Sequence, residues 1–369
     1  MKVVTVVGTR PEVIRLSRVI FRLVQSTTHV LVHTGQNWDY RLNGIFFEEL
    51  GLKPPDHVLQ VDTSSLGAML GDTLRKTEEV LRLEEPDAFL VLGDTNSAIS
   101  AVIAKRLHIP VDHMEAGNRC FDENVPEETM RRLVDHVADF NLVYTEHARR
   151  NLLAEGIHPR RIALTGSPMC EVLTHYRQQI EASDVLSRLG LKPNEYFLVS
   201  AHREENVDSP ARLGALLNCL MAVREQWDRP IIVSTHPRTR MRLEALDAEA
   251  DLSGINFSEP FGFFDYNHLQ TKALCVLSDS GTISEESSIL RFPAVTLRSS
   301  IERPESLDTG SIIMADLDPE RVIDGIAAAR ADHLVTAVPF DYLINDCSVR
   351  VRNFMLSTAP EHARWSGLR

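Results

Sequence analysis

One stretch of the chain concentrates charged side chains of both signs and is the first candidate for chemistry. Between Asp112 and Arg132 it reads DHMEAGNRCFDENVPEETMRR. After Asp112, its charged members are Glu115, Arg119, Asp122, Glu123, Glu127, Glu128, Arg131 and Arg132. Gly117 and Pro126 predict a loop that runs into a helix, with Glu127 at the positive N-terminus. Carboxylates held there could act as general acids and bases, although such a run could also be a solvated charged loop.

Other charged residues follow apolar runs that are typical of buried parallel strands. The run VVTVV comes shortly before Arg10, and FLVL comes shortly before Asp94. Ligands of open α/β sheets bind at the carboxyl ends of strands. Asp94, Glu115 and Glu127 are therefore expected in one site, where their proximity would raise their pKa values and suit acid–base chemistry.

The second half of the chain offers candidates for binding a phosphorylated ligand. Ser280-Gly281-Thr282 lies at a predicted strand-to-helix junction, where free backbone N–H groups could cradle a phosphate. Glu285 and Glu286 could oppose the helix dipole, or one of them could accept the hydroxyl hydrogens of a ribose. Arg298 and Arg303 suit bidentate contacts with a diphosphate, and surface ion pairs are the alternative.

His202 ends the first predicted strand of this half and could supply a proton or a positive charge, or be structural. No Gly-x-Gly-x-x-Gly segment follows the first strand, which argues against a dinucleotide cofactor. The five cysteines are widely spaced and odd in number, so neither a disulfide framework nor a zinc site is indicated, and a cytoplasmic location is expected.

Length and charge limit the protein class. A chain of 369 residues exceeds what one hydrophobic core usually serves, so two domains are expected. The net charge of −13 argues against a nucleic-acid partner. No run of 18 apolar residues exists, so no membrane span is expected.

Alternating strands and helices with short connections predict an α/β protein with doubly wound sheets. Thr165-Gly166-Ser167-Pro168 marks a hinge, after which the pattern restarts. We therefore expect an N-terminal domain over 1–166, a C-terminal domain over 167–345, and a tail over 346–369 that packs back on the first. Two such domains facing each other would form a cleft.

Six segments, in order, carry a resemblance to a known family: VGTRPEVIRL, LGDTNS, HMEAGNRCFDENVPEE, SAHREEN, SDSGTISEES and ERPE. They resemble the non-hydrolysing UDP-N-acetylglucosamine 2-epimerases over almost the whole chain. The resemblance implies two Rossmann-like domains of the glycosyltransferase-B type, no metal or other cofactor, and a homodimer. It implies acid–base roles for Asp94, Glu115, Glu127 and His202. Together with the arginines above, it places UDP at Arg10, Arg15, Tyr266, Ser280, Gly281, Thr282, Glu286, Arg298 and Arg303.

The chain departs from the family at Arg15, usually a lysine, and at Thr282, usually a second glycine. The forms HMEAGNRCFD, NWDYRLN and YNHLQ are similar to a branch that converts UDP-2-acetamido-2,6-dideoxy-L-talose to UDP-N-acetyl-L-fucosamine for cell-surface polysaccharides. Some bacterial relatives need a second UDP-N-acetylglucosamine as activator, held by a Gln-His-Arg segment. Gln36-Asn37-Trp38 stands there in this chain and predicts no such requirement.

Three alternatives stay open: a UDP-N-acetylglucosamine 2-epimerase, a UDP-sugar glycosyltransferase of the same fold, and a non-catalytic nucleotide-sugar sensor. The three carboxylates argue against the last two, because a transferase needs an acceptor site and at most one base. A 6-deoxy sugar would need an apolar wall, and the candidates are Cys120, Phe121, Phe261, Phe263 and Phe264, which could equally be core.

Overall fold

The computed structural model describes residues 1–36, 44–235 and 252–368, which form two α/β units. Unit 1 contains Met1–His175 together with the chain from Phe340 onward, and unit 2 contains Tyr176–Pro339. The boundaries differ from 166 and 345 because the helix Met169–His175 packs on the first helix of the chain, and Phe340–Leu343 packs on Met169–His175. Asn37 and Trp38, on which the activator prediction rests, lie outside the described residues.

The strands of each unit form a parallel sheet. The strands of unit 1 are β1 Lys2–Val7, β2 Thr28–His33, β3 His57–Val58, β4 Ala88–Leu92, β5 Val111–Met114, β6 Phe140–Val143 and β7 Ile162–Leu164. Those of unit 2 are β8 Phe197–Ser200, β9 Ile231–Ser234, β10 Ile255–Ser258, β11 Cys275–Ser278, β12 Ala294–Thr296 and β13 Ile313–Met314.

Helices connect the strands. Those that precede unit 2 are α1 Arg10–Ser26, α2 Ile45–Glu49, α3 Leu66–Glu84, α4 Ala101–Arg106, α5 Pro126–Val137, α6 Glu146–Ala154 and α7 Met169–His175. Unit 2 contains α8 Arg177–Glu181, α9 Val185–Leu189, α10 Glu204–Val207, α11 Pro210–Trp227, α12 Phe263–Lys272, α13 Ile283–Leu290, α14 Pro304–Asp308 and α15 Pro319–Asp332. The chain ends with α16 Cys347–Thr358 and α17 His362–Trp365. Within the described residues, no helix combines the length and the apolar character that a membrane crossing requires.

Continuous apolar strands explain why the sheets are covered on both faces. Val4 and Val6 of β1 pack in one core cluster with Val80 of α3, whereas Val3 and Val7, which point to the opposite face, are fully buried as well. Each fully buried valine contributes about 1.5–3 kcal/mol relative to an exposed one. Burial of both faces is the reason that β1 reads as a run of valines interrupted only by the buried Thr5, and not as an alternation of apolar and exposed polar residues.

The strand orders are β3-β2-β1-β4-β5-β6-β7 in unit 1 and β10-β9-β8-β11-β12-β13 in unit 2. This is the doubly wound arrangement, and it confirms the predicted fold class of two parallel-sheet α/β domains. In each sheet the order reverses beside the first strand, between β1 and β4 and between β8 and β11. The crevice at such a reversal is where these folds bind ligands.

Candidate functional site

The strand reversal of unit 1 brings together the predicted carboxylates. Asp94 follows β4 and Glu115 follows β5, and these strands are paired in parallel. A Cβ on Gly93 would lie 3.6 Å from Glu115 Oε2, so Glu115 borders the loop of Asp94. Asp94 Oδ2 accepts a hydrogen bond of 2.7 Å from Arg131 Nε. Arg131 lies one helical turn after Glu127, so Asp94 contacts α5 one turn beyond Glu127, which is half-buried.

Arg15 is predicted to contact UDP, and in the structure its guanidinium forms an ion pair with Glu115. The Arg15 side chain is 6 % exposed, so it lies inside unit 1. Asn118 Nδ2 lies 3.4 Å from the other oxygen of Glu115. Glu115 has a φ of 65°, in the left-handed region that non-glycine residues seldom occupy. Strain of this kind clusters at functional sites and needs firm support from the surrounding contacts.

Arg10, the other arginine predicted for this unit, is the first residue of α1. Its Cζ atom lies 5.4 Å from the centroid of the Phe46 ring, a cation–π contact that leaves the guanidinium half-buried. Arg10 follows β1, which pairs in parallel with β4, so it lies at the same sheet edge as Asp94.

Sequence reasoning missed Glu12, which ties two exit loops together. One of its oxygens accepts hydrogen bonds from the backbone N–H groups of Gly8 and Thr9, at 2.9 and 2.7 Å. The other contacts the Ser97 hydroxyl in the loop after β4. Burial is the main reason that the pKa of Glu12 is raised above its ordinary value. The spacing Thr9-x-x-Glu12 before an apolar helix is that of a capping box, a signal that could have identified this residue.

We expect Glu12→Ala to destabilise the protein by about 1–3 kcal/mol, because it leaves the buried N–H of Gly8 without its acceptor. Glu12→Gln should be tolerated, since its carbonyl can accept from the backbone and its amide can donate to Ser97. The raised pKa means that ionisation opposes folding, so wild type should lose stability relative to Glu12→Gln as pH rises above the ordinary carboxyl range. Urea denaturation at several pH values measures both effects, and a pH-independent difference would contradict the second.

A second missed residue, Asp135, organises the loop that follows Glu115. Asp135 is fully buried and accepts from Arg119 Nη1 at 2.7 Å and from the backbone N–H of Gly117 at 3.1 Å. Its other oxygen lies 3.0 Å from His113 Nδ1, and His113 Nε2 donates to the Gly93 carbonyl at 2.8 Å. The contacts therefore connect α5 to the loops that carry the candidate carboxylates.

In unit 2, Asp279 positions the loop that carries His202. Its buried carboxylate accepts from the backbone N–H groups of His202 and Arg203, at 3.1 and 3.0 Å, and from Asn206 Nδ2 at 3.0 Å. The His202 side chain itself is 40 % exposed. Asp279 follows β11, so it links the exit loops of β8 and β11 at the reversal of this sheet. Sequence reasoning did not single it out.

The predicted phosphate cradle Ser280-Gly281-Thr282 lies at the N-terminus of α13. The hydroxyls of Ser280 and Thr282 are 3.0 Å apart. A Cβ at Gly281 would overlap the carboxylate of Glu302, so a larger residue there would require the Glu302 side chain to move. The N-terminus of a helix suits an anion. In this structure the backbone N–H groups of Ser280 and Thr282 donate to Ser278 Oγ and Ser280 Oγ, at 3.0 and 3.4 Å.

The arginines predicted to bind UDP are buried next to this cradle. Arg303 is 1 % exposed, and it donates from Nε to the Gly281 carbonyl at 3.0 Å and from Nη2 to Glu285 at 3.1 Å. Arg298 forms a buried ion pair of 2.6 Å with Glu302. Arg303 thus contacts the cradle directly, whereas Arg298 pairs with Glu302, which borders Gly281. The contact of either arginine with UDP stays a prediction.

The remaining UDP candidates lie on neighbouring helices. Glu286 is in the first half of α13, and Tyr266 is half-buried on α12. Among the candidates for an apolar wall, Phe121 is 71 % exposed, whereas Phe263 is buried and contacts Tyr176 edge to face. Phe263 is therefore a core residue.

Comparisons with known proteins agree with these features. The family model described as UDP-N-acetylglucosamine 2-epimerase matches residues 22–355. A solved UDP-N-acetylglucosamine 2-epimerase from Rickettsia bellii is 43% identical, with a TM-score of 0.92 over 99% of this chain and 98% of that one. The Methanocaldococcus jannaschii enzyme, solved in complex with UDP-GlcNAc and UDP, is 34% identical, with a TM-score of 0.90 over 97% and 100% of the two chains.

A relative named for a different sugar is also similar. The UDP-2,3-diacetamido-2,3-dideoxy-D-glucuronate 2-epimerase of Pseudomonas aeruginosa is 32% identical over 330 residues, 88% of this chain and 91% of that protein. Relatives at this level of identity therefore carry names with different sugars.

Proposed function

This chain belongs to the UDP-N-acetylglucosamine 2-epimerase family, and we propose from that premise that it inverts C2 of a UDP-activated 2-acetamido sugar. The predicted class, an isomerase of the non-hydrolysing type, is confirmed by family membership. The observation that carries the proposal is the grouping of Asp94 and Glu115 at adjacent strand ends, connected through Arg131 to the helix of Glu127.

The proposed reaction is an elimination followed by an addition. A carboxylate removes the C2 proton, the C–H electron pair forms a C1=C2 double bond, and the C1–O bond to UDP breaks. UDP carries the negative charge away and leaves a neutral glycal. A second acidic group then protonates C2 on the opposite face while a phosphate oxygen of UDP attacks C1. This sequence avoids a free carbanion and needs acid–base groups on both faces of the ring.

We assign the acid–base steps to Asp94, Glu115 and Glu127, with His202 as a further proton donor or positive charge. UDP must stay bound while the glycal exists, because its escape ends the turnover without product. Backbone N–H groups at the start of α13 and the supported Ser280–Thr282 loop suit that anion. The nucleotide is therefore assigned to unit 2.

The substrate we favour is UDP-2-acetamido-2,6-dideoxy-L-talose, giving UDP-N-acetyl-L-fucosamine for cell-surface polysaccharide synthesis. UDP-N-acetylglucosamine is the second candidate, since the family model and two similar solved proteins bear its name. At C6 the 6-deoxy sugar carries a methyl group where UDP-N-acetylglucosamine carries a hydroxymethyl group. The two sugars also differ in ring configuration, because one is an L-talose and the other a D-glucose derivative. An apolar pocket rejects an added hydroxyl only weakly, by about 10²-fold.

Incubation with each UDP-sugar in heavy water, without an acceptor, tests the proposal. We expect deuterium to enter at C2, observed by NMR, and kcat/KM to be about 10²-fold higher for the 6-deoxy sugar. A higher kcat/KM for UDP-N-acetylglucosamine would reject the 6-deoxy assignment and retain the epimerase. Absence of C2 deuterium from both sugars would reject epimerisation of either.

We expect Glu286→Ala and Arg303→Ala each to weaken UDP binding about tenfold or more, because each removes a charged group at the proposed nucleotide site. Isothermal titration calorimetry measures this affinity. Arg188→Ala is the control, since its side chain is 53 % exposed and pairs with Asp184 and Asp265 on the surface of the same unit. Unchanged UDP affinity in both site variants would mean that the nucleotide binds elsewhere.

A further inference from the structure

We propose that Gln270 is a positioning residue for the nucleotide, whose side-chain amide holds the Glu286 carboxylate in the orientation that accepts the ribose hydroxyls of UDP. The inference rests on the proposed function and deepens it, because it names a residue on another helix that would tune recognition of the ribose.

The contact joins two buried side chains on different helices. Gln270 on α12 is fully buried, and its Nε2 donates to Oε2 of Glu286 on α13 at 2.7 Å. Glu286 is 7 % exposed, so it keeps a small accessible surface. Only the amide nitrogen can donate to a carboxylate, and this fixes which way the amide of Gln270 points.

The other end of the Gln270 amide shows what the residue contributes. Its Oε1 is buried and has no hydrogen-bond donor among the described residues. Buried polar atoms without partners are rare because they are unfavourable. A methionine or leucine would fill this position without that penalty. We therefore infer that the amide is present for the hydrogen bond that its N–H donates to Glu286.

The position of Glu286 on α13 fits a ribose. Glu286 lies four residues after Thr282, so it is about 6 Å along the helix axis from the proposed phosphate cradle. A ribose adjoins its diphosphate at a similar separation. An ionised carboxylate offers about four acceptor positions, so the hydrogen bond from Gln270 does not by itself use up its capacity for two neighbouring hydroxyls. Fixing the carboxylate in advance lowers the entropic cost of that contact.

Calorimetry with UDP and 2′-deoxy-UDP tests the inference. Wild type should bind UDP about tenfold or more tightly than 2′-deoxy-UDP, the range for a hydrogen bond to a charged group. Gln270→Met has a similar volume but no donor. It should weaken the binding of UDP alone, and so bring the ratio of the UDP and 2′-deoxy-UDP affinities to within about threefold of unity. A purely structural defect would weaken both nucleotides equally and leave the ratio unchanged.

Asn267→Leu is the matched control. Asn267 is a buried amide on the same helix, it donates to the Phe263 carbonyl, and its Oδ1 also has no donor among the described residues. It should keep the wild-type ratio. Gln270→Asn has a shorter amide that does not reach Glu286, so its affinity ratio should also fall close to unity. This variant replaces Gln270→Met if Gln270→Met does not fold.

The inference is overturned if the Gln270 variants keep the wild-type ratio of UDP to 2′-deoxy-UDP affinity. It is also overturned if Asn267→Leu lowers this ratio as much as they do. A wild-type protein that binds both nucleotides equally also overturns it, while UDP binding itself would still support the proposed function. Failure of wild type to bind UDP at all would reject the proposed nucleotide site and the inference together.

Discussion

Asp94→Asn, Glu115→Gln and Glu127→Gln are each expected to lower turnover by roughly 10²–10⁴-fold, the usual contribution of a general acid or base. Each substitution keeps the size of the side chain and removes its ability to exchange a proton. UDP affinity should stay close to wild type, because the nucleotide is assigned to unit 2 and these carboxylates belong to unit 1. Turnover by NMR and calorimetry with UDP measure the two quantities.

Glu123→Gln is the matched control for these variants. Glu123 belongs to the same charged stretch, but its side chain is 75 % exposed and pairs with Arg132. It should retain wild-type turnover. A site variant with near-normal turnover would remove that residue from the acid–base group.

Arg119→Met is expected to lower the free energy of unfolding by about 3–5 kcal/mol, since it leaves a buried carboxylate without its ion-pair partner. The Arg119 and Asp135 side chains are both fully buried, with 2.7 Å between Nη1 and Oδ2. Asp135 also accepts from the backbone N–H of Gly117, so the loop after Glu115 should loosen as well. Urea denaturation followed by circular dichroism measures the change in the transition that includes unit 1.

Arg75→Met provides the comparison. Arg75 pairs with Asp72 and Glu79, but its side chain is 59 % exposed on α3. Exposed ion pairs contribute about 0–1 kcal/mol, so this variant should lie near wild type. Equal losses in the two variants would contradict a special role for burial of the Arg119–Asp135 pair.

Several features followed from the sequence because they depend on local patterns. Apolar β-branched runs predicted parallel strands, and the residues directly after them, Asp94 and Glu115, had to meet at one sheet edge once those strands paired. Gly281 was identified in the same way, as a small residue where a strand passes into a helix. The capping spacing of Glu12 was also local, but its contact with Ser97 was not.

The tertiary structure decided what the charged side chains do, because their partners are distant in sequence. Glu12 meets Ser97 from 85 residues away, and Gln270 meets Glu286 from 16. Arg303 is predicted to contact a diphosphate, and only the structure shows that it also donates to the Gly281 carbonyl and pairs with Glu285. Sequence alone determined which residue types follow the strands and which protein family the chain resembles. The packing of loops and helices around the strand ends decided which side chain each arginine and carboxylate contacts. A long charged side chain can reach several partners, and the sequence pattern does not indicate which of them it contacts.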